Sequence, residues 1–429
     1  MKNRLRIAAA LLFACAWALP AQVQLLEGAR VIDGTGRAPI EDAAVLIDGN
    51  HIAAVGRRGE IQAPAGAERF DFSGKTLVPG YIDHHFHIAD DPTMVPLFLA
   101  GGVTFARDPG AWMELFAPVH AWKKANGLAG PRLSLCGPHL DGPNPAYPTD
   151  SVVILSPEEA RRWVRGQIEA GATAIKVYFR LPLESVRATA EEAHRYGVPV
   201  TSHLEILDVR AAVEAGVDGV EHITSLGIAL VPPMEAERYR QAVYKDNNAR
   251  RDGRYEIWAQ VDPHGERARE LAEFLARRGT FVDPNLAVFE RREKPGDPLS
   301  ALQAKAWRNM RDYVGVLHRA GVPIVVGSHS EVPFAERGHA YHRELETLVE
   351  AGLTPMEALT AAGQTGARFL RRTDVGEIAP GKLADLVVLD ANPLDDISNA
   401  ARVHRVVMNG AILDPAEIPP LTMPRKGGD

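Results

Sequence analysis

The sequence has little cysteine, no excess of basic residues and only a short apolar run near its start. Its two cysteines are Cys15 and Cys136, and Cys15 lies in a predicted leader, so the mature chain cannot form an internal disulfide. The net charge of -7 gives no general attraction to nucleic acid or anionic lipid, and we expect neither as a partner. The apolar run at residues 7–19 is shorter than the ~20 residues of a membrane-spanning helix. What remains is a globular composition, long enough for one large domain and a smaller one.

Residues 1–21 have the three parts of a secretory signal peptide, and cleavage after Ala18 or Ala21 fits best. Three basic residues come first: Lys2, Arg4 and Arg6. An apolar run and then small residues follow. Lipid attachment at Cys15 is disfavoured, because the bulky Phe13 lies in the segment that would form the attachment motif. We therefore expect an exported chain, periplasmic or secreted.

The two ends of the mature chain have similar patterns of short extended segments. Between residues 22 and 76 these segments are broken by turn signals such as Asp33-Gly34 and Asp48-Gly49. The pattern returns at residues 384–389 and 403–410. Neither piece could bury a sheet face alone, so we predict that residues 22–76 and 373–429 form one small composite β-sandwich domain.

Between the ends, helical segments repeatedly stop at a glycine that a short β-branched strand follows at once. Gly197 and Gly321 are examples, and glycine after a helix permits the left-handed backbone that closes it. Helix starts are marked by capping patterns at Ser156 and Thr354. Eight strands alternate with helices in this way, which predicts a (β/α)8 TIM barrel over residues 77–372.

Histidines recur where the predicted barrel strands end. They are His85 and His87 after the first strand, His203 after the fifth and His222 after the sixth. Lys176 lies within the apolar fourth strand. A single histidine of this kind is more often a core residue, and an isolated His-x-His is more often part of a turn. Four at the functional end of a barrel, with a lysine between them, predict a metal site.

Three segments carry a resemblance to a known family, and the resemblance covers nearly the whole mature chain. They are the Pro-Gly-x-Ile-Asp-x-His-x-His motif at residues 79–87, Gly-Val-Thr-Phe-Ala-Arg-Asp at 102–108, and Val-Gly-Glu-Ile-Ala-Pro-Gly-Lys-Leu-Ala-Asp-Leu at 375–386. The chain resembles the amidohydrolase superfamily, in particular its imidazolonepropionase-like and Xaa-Pro dipeptidase (prolidase)-like branch.

The resemblance implies two divalent metal ions, usually zinc. By this correspondence His85 and His87 bind one ion, and His203 and His222 bind the other. Lys176 matches a lysine that carbon dioxide converts to a carbamate, which offers an anionic oxygen to each ion where an ammonium would repel both. Two such ions share a hydroxide and polarise an amide carbonyl. The implied activity is hydrolysis of amide C–N bonds in small molecules or dipeptides, rather than of ordinary peptide bonds in proteins.

The sequence departs from the family at the end of strand eight. The family has Gly-Thr-Asp or Gly-Ser-Asp there, whereas this chain has Gly327-Ser328-His329. In the family this aspartate binds metal and accepts a proton from water. His329 could be a ligand or a base, but not both, because a metal-bound imidazole has no free lone pair. Three alternatives follow: an adapted amide hydrolase, a non-catalytic binding protein that keeps the barrel and at most one metal, or another reaction at the same site, such as hydrolysis of a lactone or cyclic amide, or deamination.

Other residues are expected around the site. Tyr178, two residues after Lys176, should point into the pocket and could bind a substrate carbonyl, or could simply pack in the barrel. Arg107 and Asp108 are expected to pair at the mouth of the barrel. Residues 224–267 separate strands six and seven and could form a lid. The sequence is also compatible with assembly into a homo-oligomer.

Overall fold

The computed structural model describes residues 23–423, so the predicted leader at residues 1–21 lies outside the described part of the chain. Across residues 23–423, no helix is both long enough and apolar enough to cross a membrane.

The described residues contain seventeen strands. They are β1 Val23–Val31, β2 Ile40–Asp48, β3 His51–Arg57, β4 Glu68–Asp71, β5 Thr76–Pro79, β6 Tyr81–Asp83, β7 Val103–Asp108, β8 Arg132–Leu135, β9 His139–Asp141, β10 Ser151–Val153, β11 Ile175–Val177, β12 Val200–His203, β13 Gly219–Glu221, β14 Phe281–Asp283, β15 Leu386–Leu389, β16 Val403–Met408 and β17 Ala411–Leu413.

The same residues contain fourteen α-helices, joined by turns, short 3-10 segments and a π-helical stretch at residues 361–365. They are α1 Val95–Ala100, α2 Ala117–Ala125, α3 Pro157–Glu169, α4 Leu183–Arg195, α5 Val209–Glu214, α6 Gly227–Leu230, α7 Pro233–Lys245, α8 Ala249–Trp258, α9 Glu266–Arg278, α10 Leu286–Phe289, α11 Pro298–Arg319, α12 Ala340–Glu350, α13 Pro355–Thr360 and α14 Gly366–Phe369. Ser156 and Thr354 cap α3 and α13 as their sequence patterns predict, and Thr354 forms a complete capping box with Glu357.

A closed parallel barrel lies at the centre of the molecule, which confirms the predicted (β/α)8 fold. Strands β6, β7 and β8 form one run of neighbouring strands, and β9, β11, β12, β13 and β14 form another. Strand β9 continues the line of β8, and β10 pairs with β9 outside the ring. The eighth strand is the short segment 324–326. Backbone hydrogen bonds join the two runs and close the ring: Thr173 N to Leu135 O at 2.9 Å, Val282 N to Pro323 O at 2.9 Å, and His84 N to Val326 O at 2.8 Å.

The strands of the two chain ends lie in one eight-stranded sheet, in the order β17-β16-β15-β5-β1-β2-β3, with β4 also paired to β1. One apolar cluster joins both ends, for example Val45 and Ile47 with Leu386 and Val407. The exact domain bounds, 22–76 with 373–429 and 77–372 between them, stay a prediction.

The apolar run before His85 is divided between two sheets, whereas the sequence predicts that it forms one barrel strand. Residues of β5 pair with β1 and β15 in the terminal sheet, whereas β6 begins the barrel. Gly80 separates the two strands, and a side chain there would collide with Thr104 of β7. The terminal sheet is therefore continuous in sequence with the strand that leads to His85 and His87.

A buried ion pair joins the barrel to the terminal sheet. Arg132 on β8 donates two hydrogen bonds to Asp385, at 2.8 and 3.2 Å, and Asp385 also accepts from the backbone of Asn409 at 2.7 Å. The Asp385 side chain is 4% exposed and that of Arg132 is 21% exposed. Loss of the carboxylate would leave a half-buried guanidinium without its partner.

We expect Asp385→Ala to lower the free energy of unfolding by about 2–3 kcal/mol, less than the loss at a fully buried pair because Arg132 can still reach water. Urea unfolding at neutral pH measures the change. The control is Asp374→Ala, which removes an exposed pair with Arg372 and should cost under about 1 kcal/mol. Equal effects of the two variants would contradict the structural role of Asp385.

Candidate metal centre

Five histidines meet at the carboxyl ends of the barrel strands. His85 and His87 follow β6, His203 ends β12, His222 follows β13, and His329 follows the eighth strand. Their ring centroids form one cluster: His203–His222 at 4.4 Å, His85–His222 at 4.6 Å, His87–His329 at 4.8 Å, His85–His87 at 4.9 Å and His85–His329 at 5.1 Å. The structure thus brings together the five histidines that were predicted for the site.

Three of these imidazoles offer nitrogens within 4.8 Å of one another: His85, His222 and His329. His87 is adjacent, with its Nε2 3.2 Å from that of His85. Among the residues that the structure describes, Nδ1 of the buried His222 has no hydrogen-bond partner. A buried ring nitrogen is normally satisfied, and clustered imidazoles are the usual ligands of zinc. This donor set therefore fits a divalent metal ion.

Burial keeps these imidazoles in the neutral form that metal binding requires. It is the largest cause that lowers the pKa of His85, His87 and His222 well below the ordinary value, and the neighbouring imidazoles add to it. Burial also lowers the pKa of His203 to about 3 and that of His329 to about 4. Protons therefore compete weakly for these nitrogens at neutral pH.

Two of the histidines have strained backbones. His222 has φ 62° and His329 has φ 58°, a region that residues other than glycine rarely adopt. Backbone hydrogen bonds hold both in place: His222 N donates to Asp283 O at 2.8 Å, and His329 N donates to His85 O at 2.6 Å. Strain of this kind is concentrated at functional sites, which agrees with the positions of these two imidazoles.

Lys176 lies beside the histidines, fully buried on β11, and its ammonium contacts the carboxylate of Glu221. Glu221 also accepts a hydrogen bond from Arg107 at 2.5 Å, and one of its oxygens is 3.1 Å from His85 Nδ1. Burial, followed by the charge of Arg107, lowers the pKa of Lys176 well below its ordinary value. Cys136 and Asp283 act in the opposite direction on this pKa.

Sequence reasoning missed Glu221. In a regular strand, adjacent side chains point to opposite faces, so an inward His222 predicts an outward Glu221. The positive φ of His222 breaks that alternation, and both side chains reach the interior. Asp283 at the end of β14 was also missed; its Oδ2 lies 3.7 Å from His85 Nδ1, and burial raises its pKa well above the ordinary value.

The expected ion pair between Arg107 and Asp108 is wrong. Arg107 points into the barrel, where it is fully buried and donates to Glu221, to His84 O at 2.8 Å and to Thr201 Oγ1 at 3.1 Å. Asp108 instead accepts from backbone amides of two loops: Ile88 at 2.8 Å, Ala89 at 3.2 Å and Gly110 at 2.9 Å. Alternation along β7 sends the two side chains to opposite sides.

The candidate site opens into a cavity of about 620 Å³, which all seven predicted site residues line: His85, His87, Lys176, Tyr178, His203, His222 and His329. Tyr178 packs between His139 and His203, with ring centroids 4.9 and 4.7 Å away. Segment 224–267, the expected lid, forms helices α6 to α8, and α8 supplies one wall of the cavity. The role of Tyr178 in substrate binding stays a prediction.

Comparisons with known proteins agree with this architecture. Residues 76–413 match the amidohydrolase family. An ochratoxinase of Aspergillus niger is 25% identical over 88% of this chain and 83% of its own length, and an imidazolonepropionase of Mycolicibacterium smegmatis is 25% identical over 82% and 85%. A prolidase solved in complex with N-methylphosphonate-L-proline superposes with a TM-score of 0.69, at 25% identity, over 92% of this chain and all of its own. These matches confirm the resemblance read from the motifs: the chain belongs to the amidohydrolase family.

Proposed function

We propose that this protein is a metal-dependent hydrolase of amide bonds in small molecules or dipeptides. One observation carries the proposal: five imidazoles and a buried lysine from five barrel strands converge on a cavity large enough for a small substrate. Membership of the amidohydrolase family supports hydrolysis in general. The names of the relatives, an ochratoxinase, an imidazolonepropionase and a prolidase, support a C–N bond as the target.

The residues that would hold metal are the two pairs predicted from the sequence, His85 with His87 and His203 with His222, joined by Lys176 as a carbamate. Two divalent ions, most simply zinc, would supply Lewis-acid polarisation of the carbonyl and activation of water. Lys176 favours this assignment because it is buried beside the histidines and its neutral form, which reacts with carbon dioxide, is favoured by burial.

We propose that His329 is a metal ligand rather than the general base. Its ring lies nearly parallel to that of His85, with an angle of 8° between the planes, and its nitrogen belongs to the tight group with His85 and His222. The buried carboxylates of Glu221 and Asp283 already lie near His85. A neutral ligand at strand eight would add no further acidic group to a site that already holds these two.

Other residues of the chain would position the substrate. Tyr178 would donate a hydrogen bond from its hydroxyl to the substrate carbonyl, because burial raises its pKa well above the ordinary value and keeps it protonated. The helix α8 would cover the cavity and limit the access of water. We also propose that residues 1–21 direct export, so that the enzyme acts outside the cytoplasm.

The substitution at strand eight favours a second candidate, a non-catalytic binding protein, because the family's aspartate is His329 here. Metal content separates the two candidates. An enzyme of the proposed kind holds stoichiometric metal, whereas a binding protein that has lost the site holds none.

Metal occupancy is the first test. We expect the zinc-loaded wild type to retain stoichiometric metal after dialysis and His222→Ala to lose about half of it or more, because each ion depends on few ligands. Elemental analysis in bicarbonate buffer measures this. The control is His194→Ala, an exposed histidine bonded to Asp218 and outside the cavity. A wild type without stoichiometric metal would sink the proposal.

The second test concerns Lys176. Lys176→Ala removes the proposed bridge, so metal content and turnover should both fall, turnover by about 10- to 100-fold. Added formate or acetate should partly restore both, because a free carboxylate can occupy the space of the lost carbamate. Lys123→Ala, on α2 and away from the site, serves as the control. Full metal content and rate in Lys176→Ala would refute the carbamate assignment.

The third test concerns His329. We expect His329→Asp to hold metal but to lower turnover by about 10- to 100-fold, because it adds a third acidic group beside Glu221 and Asp283. His329→Asn introduces a side chain of the same shape as aspartate but without its charge. It therefore separates the effect of the added charge from the effect of losing the imidazole ligand. Turnover of small amides at matched zinc content, from acid to mildly alkaline pH, measures both. A gain in turnover of about 10²–10⁴-fold in the aspartate variant would instead show that His329 impairs catalysis in the natural protein.

A further inference from the structure

A buried cation on the cavity wall has no acidic partner among the described residues. Arg250 on α8 is 5% exposed and lines the cavity. Within residues 23–423, no carboxylate lies within ion-pair distance of its guanidinium, and its Nε has no hydrogen-bond partner. Arginine is almost never buried unless it is paired, because burial removes the charge from water.

Neighbouring arginines of the same cavity differ from Arg250. Arg254 pairs with Glu205 at 3.4 Å. Arg291 donates to the backbone carbonyl of Glu290 at 2.7 Å, and Arg251 is exposed to solvent. Arg250 therefore combines burial, an unsatisfied donor and an unbalanced charge at the cavity surface.

The contacts that Arg250 does make are neutral. It donates to the hydroxyl of Tyr147 at 2.8 Å, and its guanidinium lies 5.1 Å from the centroid of the Tyr147 ring. A hydroxyl and an aromatic face orient a guanidinium but do not cancel its charge. They leave donors available for a planar anion such as a carboxylate, which guanidinium groups bind with two parallel hydrogen bonds.

A line of aromatic rings leads from Arg250 to the histidines. The Tyr147 ring is 5.8 Å from that of Tyr178, and the Tyr178 ring is 4.7 Å from that of His203. The rings of Tyr147 and Tyr178 thus lie between an anion at Arg250 and the candidate metal centre. A small amide with a carboxylate at one end could span this interval.

We propose that Arg250 binds a free carboxylate of the substrate, which makes the substrate class N-acyl amino acids and dipeptides rather than neutral amides. This inference rests on the proposed amide hydrolysis and goes further, since it names the group that the protein selects. Arg250 is in this view a specificity residue that acts on substrate binding and leaves the chemistry of neutral amides unchanged.

The test uses zinc-loaded full-length protein and a set of N-benzoyl amino acids, each with its carboxylate free or converted to the primary amide. Wild type should prefer the free acids. Arg250→Met should lower kcat/KM for the free acids by about 10- to 100-fold, mainly through KM, and change the capped compounds by about twofold at most. Arg250→Lys keeps the charge without the planar fork and should fall between the two. Arg238→Met, an exposed arginine on α7, is the matched control.

Two results would overturn the inference. One is a wild type that treats free and capped compounds alike. The other is an Arg250→Met variant that loses both equally and melts at a lower temperature, as expected for an arginine that only supports the structure. Replacement of a buried, unpaired charge by methionine should otherwise leave the melting temperature unchanged or higher.

Failure of the proposed hydrolysis is distinguishable from failure of this inference. If no compound is hydrolysed, equilibrium dialysis with N-benzoylglycine measures binding directly, since the ligand then stays intact. Binding that weakens about 10-fold in Arg250→Met supports the carboxylate site even though hydrolysis has failed. Equal binding by wild type and Arg250→Met, or no binding by wild type, overturns it.

Discussion

The carboxylate of Glu221 contacts two buried basic side chains, Arg107 and Lys176, directly beside the histidine cluster. Arg107 reaches across the barrel interior from β7, and its other donors bind His84 O and Thr201 Oγ1. One guanidinium therefore connects strands one, two, five and six. Separation of a charge this deeply buried from its partner is strongly unfavourable, so the interior end of the site has little freedom to move. The imidazoles are arranged around this fixed set of charges.

Much of the architecture could be predicted from the sequence because its signals are local. Glycines after helices, capping residues and short β-branched segments specify where elements start and stop, and the order of those elements specifies the barrel. The histidines were found for the same reason: each follows a recognisable strand. In a barrel, the strand ends share one face, so placement on that face requires no knowledge of distances.

The parts that could not be predicted depend on tertiary geometry. The partner of Arg107 is set by a long side chain crossing the barrel, whereas local reasoning paired it with the adjacent Asp108. The inward position of Glu221 depends on the backbone of His222. Arg250 carries no motif. Its importance appears only from the position of α8 in the cavity wall, where no carboxylate of residues 23–423 lies within ion-pair distance of that guanidinium.

The terminal sheet has a consequence for the order in which the chain folds. Strand β5 lies between β1 and β15, so its second neighbour is synthesised some three hundred residues after it. Pairings this distant in sequence form late, because the intervening chain must first be ordered. The pairing of β5, which precedes the first barrel strand, is thus completed by a segment near the other end of the chain. The histidines at the start of the barrel therefore follow a strand that gains its second sheet neighbour only after the two ends of the polypeptide have met.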